Sequence, residues 1–297
     1  MIDRKKLYEW CSVPITQLMD HPKRRVNLRI VKTAAEMGWL MANEFAQDIK
    51  KAAHEGRVYH AIIPCGPKEW YAPFCEIVNR EGISLKQMVC FHMDENLDWE
   101  AKLLPPNDPN NFRTFMHENF YSPVEQNLQV LPENRHYLTP DNAGAISREI
   151  ERTDIDYTLG GIGQDGHIAY NQARRNPYNY VTIDDIRNST ARVQENNWDT
   201  IIALSQRGFG SAWQFLPPMS VTLGAKECLK AKKVRIFSAT GAWKQTAVRV
   251  ALFSEPTAEY PMTLLQEHPD AILTVTEETA YHPFADHPEW EFKGVHV

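Results

Sequence analysis

The sequence lacks the features that mark secreted, membrane-embedded and nucleic-acid-binding proteins. It has no run of about 18 apolar residues, the length that a membrane-spanning helix needs, and no apolar segment follows the polar start. Its formal net charge of -6 gives no support to a nucleic-acid or membrane-surface partner, which would favour clustered Lys and Arg. We therefore expect a cytoplasmic protein without a nucleic-acid or membrane partner.

Cysteine is scarce and shows no useful spacing. The five cysteines are odd in number, are scattered along the chain and form no CxxC pair. This distribution is typical of free thiols in a reducing compartment, and it does not indicate a disulfide framework. The sequence also lacks an H-E-x-x-H motif and a Cys/His cluster, so its spacing does not require a zinc site.

What the sequence does have is a regular alternation of apolar strands with helices. We predict strands at 28–31, 59–63, 87–91, 155–159, 234–237 and 271–275, and longer helices at 33–54, 70–80, 112–121, 143–153 and 242–252. We predict irregular structure at 96–111, 171–200 and 282–297. This order indicates an α/β fold: a three-layer, Rossmann-like, doubly wound, mostly parallel sheet with helices on both faces. We expect an N-terminal extension at 1–25 and a single domain at 26–297.

Polar and glycine-rich motifs follow several of the predicted strands. Gly66 follows one strand, Asp94 another, Asp165 with His167 a third, and Gly241 a fourth. Because the carboxyl ends of parallel strands meet at one edge of a sheet, where ligands bind, these motifs are expected to face a common crevice.

The segment 157–172 is the most informative part of the chain. An apolar strand runs into a glycine-rich turn, and Asp165 and His167 follow two residues apart. Glycine permits backbone conformations that other residues resist, so the turn can present both side chains to the crevice. A carboxylate beside an imidazole fixes its tautomer, which favours general acid–base chemistry. The alternative interpretation is an Asp-Gly turn with an unrelated histidine.

Two acids, Asp94 and Glu95, come at the end of an apolar strand directly after His92 and Met93. Unpaired carboxylates are costly to bury, so we expect at least one to face the crevice. The alternative is a solvated strand end or a helix cap. His92, Asp94, Asp165 and His167 could in principle hold a divalent ion, but their spacing does not require one, and we expect no metal.

Three basic residues are candidates for binding an anion. Arg187 and Arg192 lie in the polar stretch after the glycine turn, and Lys244 lies near a helix start, after Thr240 and Gly241. A helix N-terminus with a nearby lysine attracts phosphate. Each residue alone is also compatible with an ordinary surface position.

These motifs together resemble the glucosamine-6-phosphate deaminase (isomerase) family, whose superfamily includes 6-phosphogluconolactonase. The resemblance covers about residues 28–280, and its sharpest matches are FHMDE at 91–95, FM and NF at 115–120, GQDGHIAYN at 163–171, the arginines between 187 and 192, GAWK at 241–244 and LQEHP at 265–269. The string D-G-H-I-A-[FY]-N is similar to the deaminase branch rather than the lactonase branch.

The resemblance implies conversion of glucosamine 6-phosphate to fructose 6-phosphate and ammonia without a cofactor. Asp94 matches the carboxylate that moves a proton between C2 and C1. His167 matches the group that opens the sugar ring, and Asp165 its orienting acid. Arg192 and Lys244 match phosphate ligands. The partner implied is a small sugar phosphate, and Cys65, Gly66, Lys68 and Glu95 complete the candidate binding residues.

The chain departs from the family pattern at three places around the ligand. Gln172 stands where the family has a glutamate of the ring-opening relay, and an amide can neither carry charge nor take up a proton. The phosphate loop P-[ST]-G-G-[ST]-P is replaced by Pro64-Cys65-Gly66-Pro67-Lys68, in which Pro67 removes an N–H donor. His92 replaces the usual asparagine, and beside Asp94 it could add another titrating group.

Three functions therefore remain open from the sequence. The first is an amino-sugar-phosphate deaminase/isomerase, motivated by Asp94, Asp165 and His167. The second is a related sugar-phosphate isomerase or lactonase with an altered substrate, motivated by Pro67 and Lys68. The third is a catalytically weakened sugar-phosphate-binding protein, motivated by Gln172. The family includes monomers and hexamers, so a homo-oligomer is also possible.

Overall fold

The computed structural model describes residues 2–174, 178, 180–287 and 290 of the 297-residue chain. Among these residues, seven strands form a parallel sheet: β1 (Asn27–Val31), β2 (Tyr59–Ile63), β3 (Met88–His92), β5 (Arg135–His136), β6 (Tyr157–Gly160), β9 (Lys233–Ser238) and β10 (Ala271–Thr276). Their order across the sheet is β1-β10-β9-β6-β2-β3-β5. The predicted mostly parallel α/β fold is confirmed.

A smaller antiparallel sheet stands beside the main one. It contains, within the described ranges, β4 (Asp94–Leu97), β7 (Arg192–Glu195) and β8 (Met219–Thr222), in the order β4-β8-β7. The predictions of loop from residue 96 and of irregular structure at 171–200 were therefore wrong where β4, β7 and two helices occur. These short polar strands gain their stability from pairing with β8, which a local pattern does not reveal.

The helices of the described chain lie mostly in the connections between strands, with two before β1 and one after β10. They are α1 (Arg4–Cys11), α2 (Ile15–Leu18), α3 (Ala34–His54), α4 (Tyr71–Glu81), α5 (Phe112–Met116), α6 (Ala143–Arg152), α7 (Ile183–Arg187), α8 (Trp198–Gly208), α9 (Ala225–Cys228), α10 (Gln245–Phe253) and α11 (Glu277–Ala280). A π turn at His117–Tyr121 continues α5, and 3-10 turns occur at Pro132–Asn134, Trp213–Phe215, Gly241–Trp243, Pro261–Glu267 and Pro283–Ala285. The predicted irregular tail lies partly outside the described residues.

The longest helix begins where its sequence predicts. The side chain of Thr33 accepts a hydrogen bond from the backbone N–H of Glu36 at 3.1 Å, which is an N-cap of α3. The carboxylate of Glu36 accepts in turn from the backbone N–H of Lys32 at 2.8 Å. The first bond satisfies a donor that the first turn of the helix would leave without a partner, and the second holds the residue before the N-cap.

The main sheet is covered by apolar side chains on both faces. Along β2, Ala61 and Ile63 pack in the cluster that includes α3 and α4, whereas Ile62 packs in the cluster that includes α6 and α10. Successive residues of a strand point to opposite faces, so this alternation requires helices on both sides. Within the described residues, the five cysteines are free and buried, and no helix is long and apolar enough to cross a bilayer.

The N-terminal segment packs on the domain rather than extending from it. Cys11 and Leu18 are buried, and Leu18 joins the same apolar cluster as Ile62. The guanidinium of Arg249 on α10 donates to the carbonyl of Val13 at 3.1 Å. This segment therefore shields part of the helical layer that contains α10.

The strand order places a crevice at β2 and β6. From β2 the chain proceeds outward through β3 and β5, whereas from β6 it proceeds in the opposite direction through β9 to β10, which lies next to the edge strand β1. Ligands of such sheets bind outside the carboxyl ends of the strands where this order reverses. The loops after these two strands meet closely, because a Cβ on Gly161 would lie 3.2 Å from the carbonyl oxygen of Gly66.

Candidate active site

A cavity of about 660 Å³ opens at the carboxyl ends of the central strands. Six of the predicted site residues line it: Cys65, Gly66, Lys68, Asp94, His167 and Lys244. They come from the ends of four strands, as the topology requires. The other four predicted residues, Asp165, Gln172, Glu95 and Arg192, lie behind or beside the cavity wall and make their hydrogen bonds within the protein.

Two glycines shape the turn after β6 that contains the candidate catalytic pair. A Cβ on Gly163 would lie 2.1 Å from the Cε1 and Nδ1 atoms of His167, so the imidazole occupies the space that a side chain would fill. Gly166 has a φ of 71°, and Ala169 is held at 53°. Most residues avoid these left-handed conformations, which shows why the turn needs glycine at 166.

Asp165 and His167 form a close hydrogen-bonded pair. Nδ1 of His167 lies 2.6 Å from Oδ1 of Asp165, whose side chain is buried, while the imidazole is partly open to the cavity. A proton on Nδ1 satisfies this contact and leaves Nε2 with a lone pair. The ring also stacks on Tyr170, with centroids 5.7 Å apart. The pair is therefore arranged as an oriented general base.

Asp94 faces the same cavity from the first residue of β4. The chain leaves the main sheet at Met93, whose backbone N–H still donates to the carbonyl of Ile63 at 3.0 Å. Burial of the carboxylate, with a smaller contribution from the charge of Glu95, raises the pKa of Asp94 from its ordinary value to about 7. A carboxyl group with this pKa can both take up and release a proton near neutral pH.

Glu95 points the other way and supports the cavity wall. Its carboxylate accepts hydrogen bonds from the backbone N–H groups of Asn96, Phe112 and Arg113 at 2.8 to 2.9 Å. The last two belong to the first turn of α5, so Glu95 caps this helix. The helix cap that the sequence left as an alternative is what Glu95 forms here.

His92 is likewise remote from the ligand space. Its Nε2 lies 2.8 Å from the hydroxyl of Tyr121, and its ring stacks on Tyr137 at 4.2 Å. Burial, with the nearby charge of Arg113, lowers the pKa of His92 to about 3. The expectation that His92 adds a group titrating beside Asp94 is therefore wrong, because the imidazole stays neutral above acidic pH.

The loop after β2 brings a thiol and a lysine to the cavity. The hydroxyl of Tyr71 donates to the carbonyls of Pro64 and Cys65 at 2.5 and 3.1 Å, which holds the loop in place. Burial, reinforced by the charge of Asp94, raises the pKa of the Cys65 thiol well above its ordinary value, so it stays protonated. The ammonium of Lys68 lies 4.4 Å from the centre of the Phe115 ring.

One anion-binding candidate from the sequence, Lys244, faces the cavity, and a second basic residue there was not predicted. Lys244 lines the cavity together with Arg207, a residue that sequence reasoning missed. Burial, with a smaller contribution from the charge of Arg207, lowers the pKa of Lys244 to about 8, and the charge of Asp165 opposes this change. The available signal was helical spacing: Ile201, Leu204 and Arg207 recur every third residue of α8 and all line the cavity.

Arg192 makes its hydrogen bonds outside the ligand space. Its guanidinium donates to the side-chain oxygens of Asn171 at 3.0 Å and Gln194 at 2.9 Å, and to the carbonyl of Thr190. Burial lowers the pKa of Arg192, with the charge of Arg174 acting in the same direction. Because Arg192 lies on β7, its hydrogen bond to Asn171 connects this strand to the end of the glycine-rich turn.

Gln172 lies directly behind His167. Its Nε2 donates to the hydroxyl of Thr200 at 2.8 Å and lies 3.4 Å from Nδ1 of His167, and its Oε1 accepts from the backbone N–H of Asn197. The amide thus places a neutral group beside the imidazole. In the described part of the chain, no cluster of three or more His, Cys, Asp or Glu side chains is arranged to hold a metal ion.

Known proteins resemble this chain in sequence and in fold. No protein-family model matches it. It is 30% identical over 225 residues to glucosamine-6-phosphate deaminase of Aliivibrio fischeri, which spans 72% of this chain and 76% of that protein. It is 31% identical over 242 residues to glucosamine-6-phosphate deaminase of Parabacteroides distasonis, with coverage of 80% and 83%.

Solved structures of other proteins have a fold similar to that of this chain. A monomeric glucosamine-6-phosphate deaminase matches with a TM-score of 0.72 and 20% identity, over 85% of this chain and 98% of that one. A 6-phosphogluconolactonase of Thermotoga maritima matches with a TM-score of 0.58 and 13% identity, over 84% and 98%. The sequence identity over most of both chains decides the relationship: this chain belongs to the glucosamine-6-phosphate deaminase family.

Proposed function

We propose that this protein converts glucosamine 6-phosphate and water to fructose 6-phosphate and ammonia. One observation carries the proposal: a carboxyl group with a pKa of about 7, Asp94, shares a cavity with the oriented imidazole of His167 and with the cation Lys244. An isomerisation that moves a proton between neighbouring carbons needs a carboxyl group such as Asp94. A phosphorylated sugar needs a cation such as Lys244 to bind its phosphate.

Asp94 is the group that we assign to the proton shift. As a carboxylate it takes the proton from C2 of the open-chain aldehyde form, and it returns this proton to C1 of the resulting enolamine, which leaves an imine at C2. Its raised pKa keeps the carboxyl group capable of both steps near neutral pH. Water then attacks the C2 imine, and the amine leaves as ammonia, which balances the reaction.

His167 is the group that we assign to ring opening. With Nδ1 bonded to Asp165, its Nε2 can accept the proton of the O1 hydroxyl and return a proton to the ring oxygen. Asp165 stabilises the imidazolium that forms in between. Gln172 adds no charge to this pair, so the carboxylate of Asp165 is its source of electrostatic support.

Lys244 and Arg207 are the groups that we assign to the phosphate. They line the same cavity and lie close enough for the charge of Arg207 to lower the pKa of Lys244. A phosphate dianion between them relieves this repulsion and gains charge-assisted hydrogen bonds. Arg207 takes the place that the sequence assigned to Arg192.

Incubation with glucosamine 6-phosphate, and separately with galactosamine 6-phosphate, tests the proposal. The expected result is equal amounts of ammonia and ketose phosphate from the first sugar. If neither sugar yields ammonia or a ketose phosphate, the proposal of an amino-sugar-phosphate deaminase is rejected.

A lactonase is the second candidate, and one observation favours it. Lys68 brings a positive charge to the cavity near Asp94 and Cys65, at a loop that is neutral in the deaminase pattern. A cation there suits an acidic or oxygen-rich ligand that carries no amino group. Hydrolysis of 6-phosphogluconolactone without any deaminase activity would support this candidate, and its absence would remove it.

A further inference from the structure

The orientation of the Gln172 amide follows from its hydrogen bonds. Oε1 accepts from the backbone N–H of Asn197 at 3.0 Å, and a backbone N–H can only donate. The oxygen must therefore face Asn197, and the NH₂ group must face the opposite side. That side contains the hydroxyl of Thr200 and the imidazole of His167.

The acceptor for this NH₂ group is Thr200. Nδ1 of His167 uses its proton for Asp165 at 2.6 Å, so it has no lone pair to offer Gln172, and its distance of 3.4 Å from Nε2 is long. The hydroxyl oxygen of Thr200 lies 2.8 Å from the same nitrogen. Thr200 is therefore held in the role of hydrogen-bond acceptor.

A hydroxyl that accepts a hydrogen bond still has its own proton to donate. Thr200 is buried and lines the cavity. Among the residues that the structure describes, none accepts a hydrogen bond from its Oγ1. A buried donor without a partner is costly, so the proton is available to a ligand in the cavity.

We propose that Thr200 donates a hydrogen bond to an oxygen of the substrate beside His167, and that Gln172 is the positioning residue that gives Thr200 this polarity. Thr200 and His167 are neighbours, because both lie against the same amide nitrogen. The inference rests on the proposed function for the identity of the ligand. It makes Thr200 a specificity-determining contact for sugar oxygens that accept hydrogen bonds.

A glutamate at position 172 would give the opposite polarity. A carboxylate has no proton, so it would accept from the backbone N–H of Asn197 and also from the hydroxyl of Thr200. The hydroxyl of Thr200 would then donate its hydrogen bond to this carboxylate and would offer only lone pairs to the ligand. Gln172→Glu therefore keeps the contacts of the wall but removes the donor.

Binding of a ligand that cannot react tests the hydrogen bond of Thr200 independently of catalysis. The probe is 2-amino-2-deoxyglucitol 6-phosphate, the reduced open-chain form of the amino sugar, titrated calorimetrically into wild type, Thr200→Ser, Thr200→Val and Gln172→Glu. Thr200→Ser is the matched control because it keeps the hydroxyl. We expect Thr200→Val and Gln172→Glu each to bind about tenfold more weakly than wild type, the loss of roughly one hydrogen bond.

The double variant Gln172→Glu/Thr200→Val gives the decisive comparison. Because both substitutions remove the same donor, the double variant should bind no more weakly than Thr200→Val alone. Additive losses, equal binding by Thr200→Val and Thr200→Ser, or tighter binding by Gln172→Glu would each overturn the inference. Thermal unfolding verifies that each variant is folded. A wild type that does not bind the probe overturns the proposed function as well, whereas binding that ignores Thr200 overturns only this inference.

Discussion

Asp94 and Lys244 make the proposed activity dependent on pH in opposite directions. Asp94 must be ionised to take a proton, so kcat/KM should rise as pH passes its pKa of about 7. Lys244 must be protonated to hold phosphate, so kcat/KM should fall above its pKa of about 8. The expected profile is a narrow maximum between these values, measured with glucosamine 6-phosphate at constant ionic strength.

A matched variant tests whether Lys244 causes the fall of kcat/KM on the alkaline side of that profile. In Lys244→Arg the cation stays charged to much higher pH, so the fall in kcat/KM should move upward while the acidic side stays in place. An acidic limb near pH 4, the range of an ordinary aspartate, would contradict the role of Asp94.

Arg207 and Arg192 offer a direct comparison of two arginines. Arg207 lines the cavity, and Arg192 donates to Asn171 and Gln194 outside it. Arg207→Ala should raise KM by about 10- to 100-fold, the loss of one charge-assisted hydrogen bond to phosphate. Arg192→Ala should lower the unfolding temperature more than Arg207→Ala and raise KM less, measured by initial rates and thermal melts. The reverse pattern would restore the assignment made from the sequence.

At the scale of single residues, the topology of the sheet made some positions predictable. Others could not be predicted, because they depend on the direction in which each side chain points. Asp94 and His167 could be placed together because parallel strands end at one edge of the sheet. Glu95 could not be excluded, because successive residues of a strand face opposite ways and its cap on α5 depends on a helix 17 residues later. Arg207 was missed because irregular structure was predicted up to residue 200 and no helix was predicted directly after it, where α8 continues.

The glycine-rich turn is the element on which the candidate catalytic pair depends. Gly163→Ala would place a Cβ at 2.1 Å from the imidazole of His167 and so displace the ring from Asp165. We expect kcat to fall at least about tenfold, because general acid–base catalysis contributes about 10²–10⁴ and a displaced imidazole loses part of it. Since the imidazole borders an open cavity, it can move without unfolding the protein.

Gly144→Ala on α6 is the control for that substitution. Its Cβ would meet only the end of Arg148, at 3.5 Å, an ordinary contact. Alanine should raise the free energy of unfolding by about 0.5–1 kcal/mol, because it is the better helix former, and should leave kcat as in wild type. Full activity of Gly163→Ala would show that the position of His167 does not matter.

The elements that the sequence revealed are those with strong apolar periodicity. The core strands such as β2 and β9, and the long helix α3 with its cap at Thr33, follow directly from pattern and capping. The strands β4, β7 and β8 are four residues long, are partly polar and pair with distant segments. Their stability comes from tertiary pairing, which no short window of sequence contains.

At the scale of the whole molecule, Arg249 joins the N-terminal segment to the domain at an electrostatic cost. The residue is fully buried, and its Nε and Nη1 have no hydrogen-bond partner within the described structure, while Nη2 donates to Val13. Burial lowers the pKa of its guanidinium to about 10. Uncompensated buried charge is destabilising.

Arg249→Met should therefore keep or increase stability, because methionine fills the same space without a charge. The expected change in the free energy of unfolding is between zero and about +2 kcal/mol, measured by urea denaturation. A loss of more than about 2 kcal/mol would show that the bond to Val13 outweighs the buried charge.

The central claim is that the carboxylate of Asp94 performs the proton shift in this cavity, and Asp94→Asn tests it most directly. Asparagine keeps the size of the side chain but cannot take up a proton. Initial rates with glucosamine 6-phosphate should show active wild type and a kcat about 10²- to 10⁴-fold lower in the variant, with its fold intact by circular dichroism. An Asp94→Asn variant with the turnover of wild type would contradict the account.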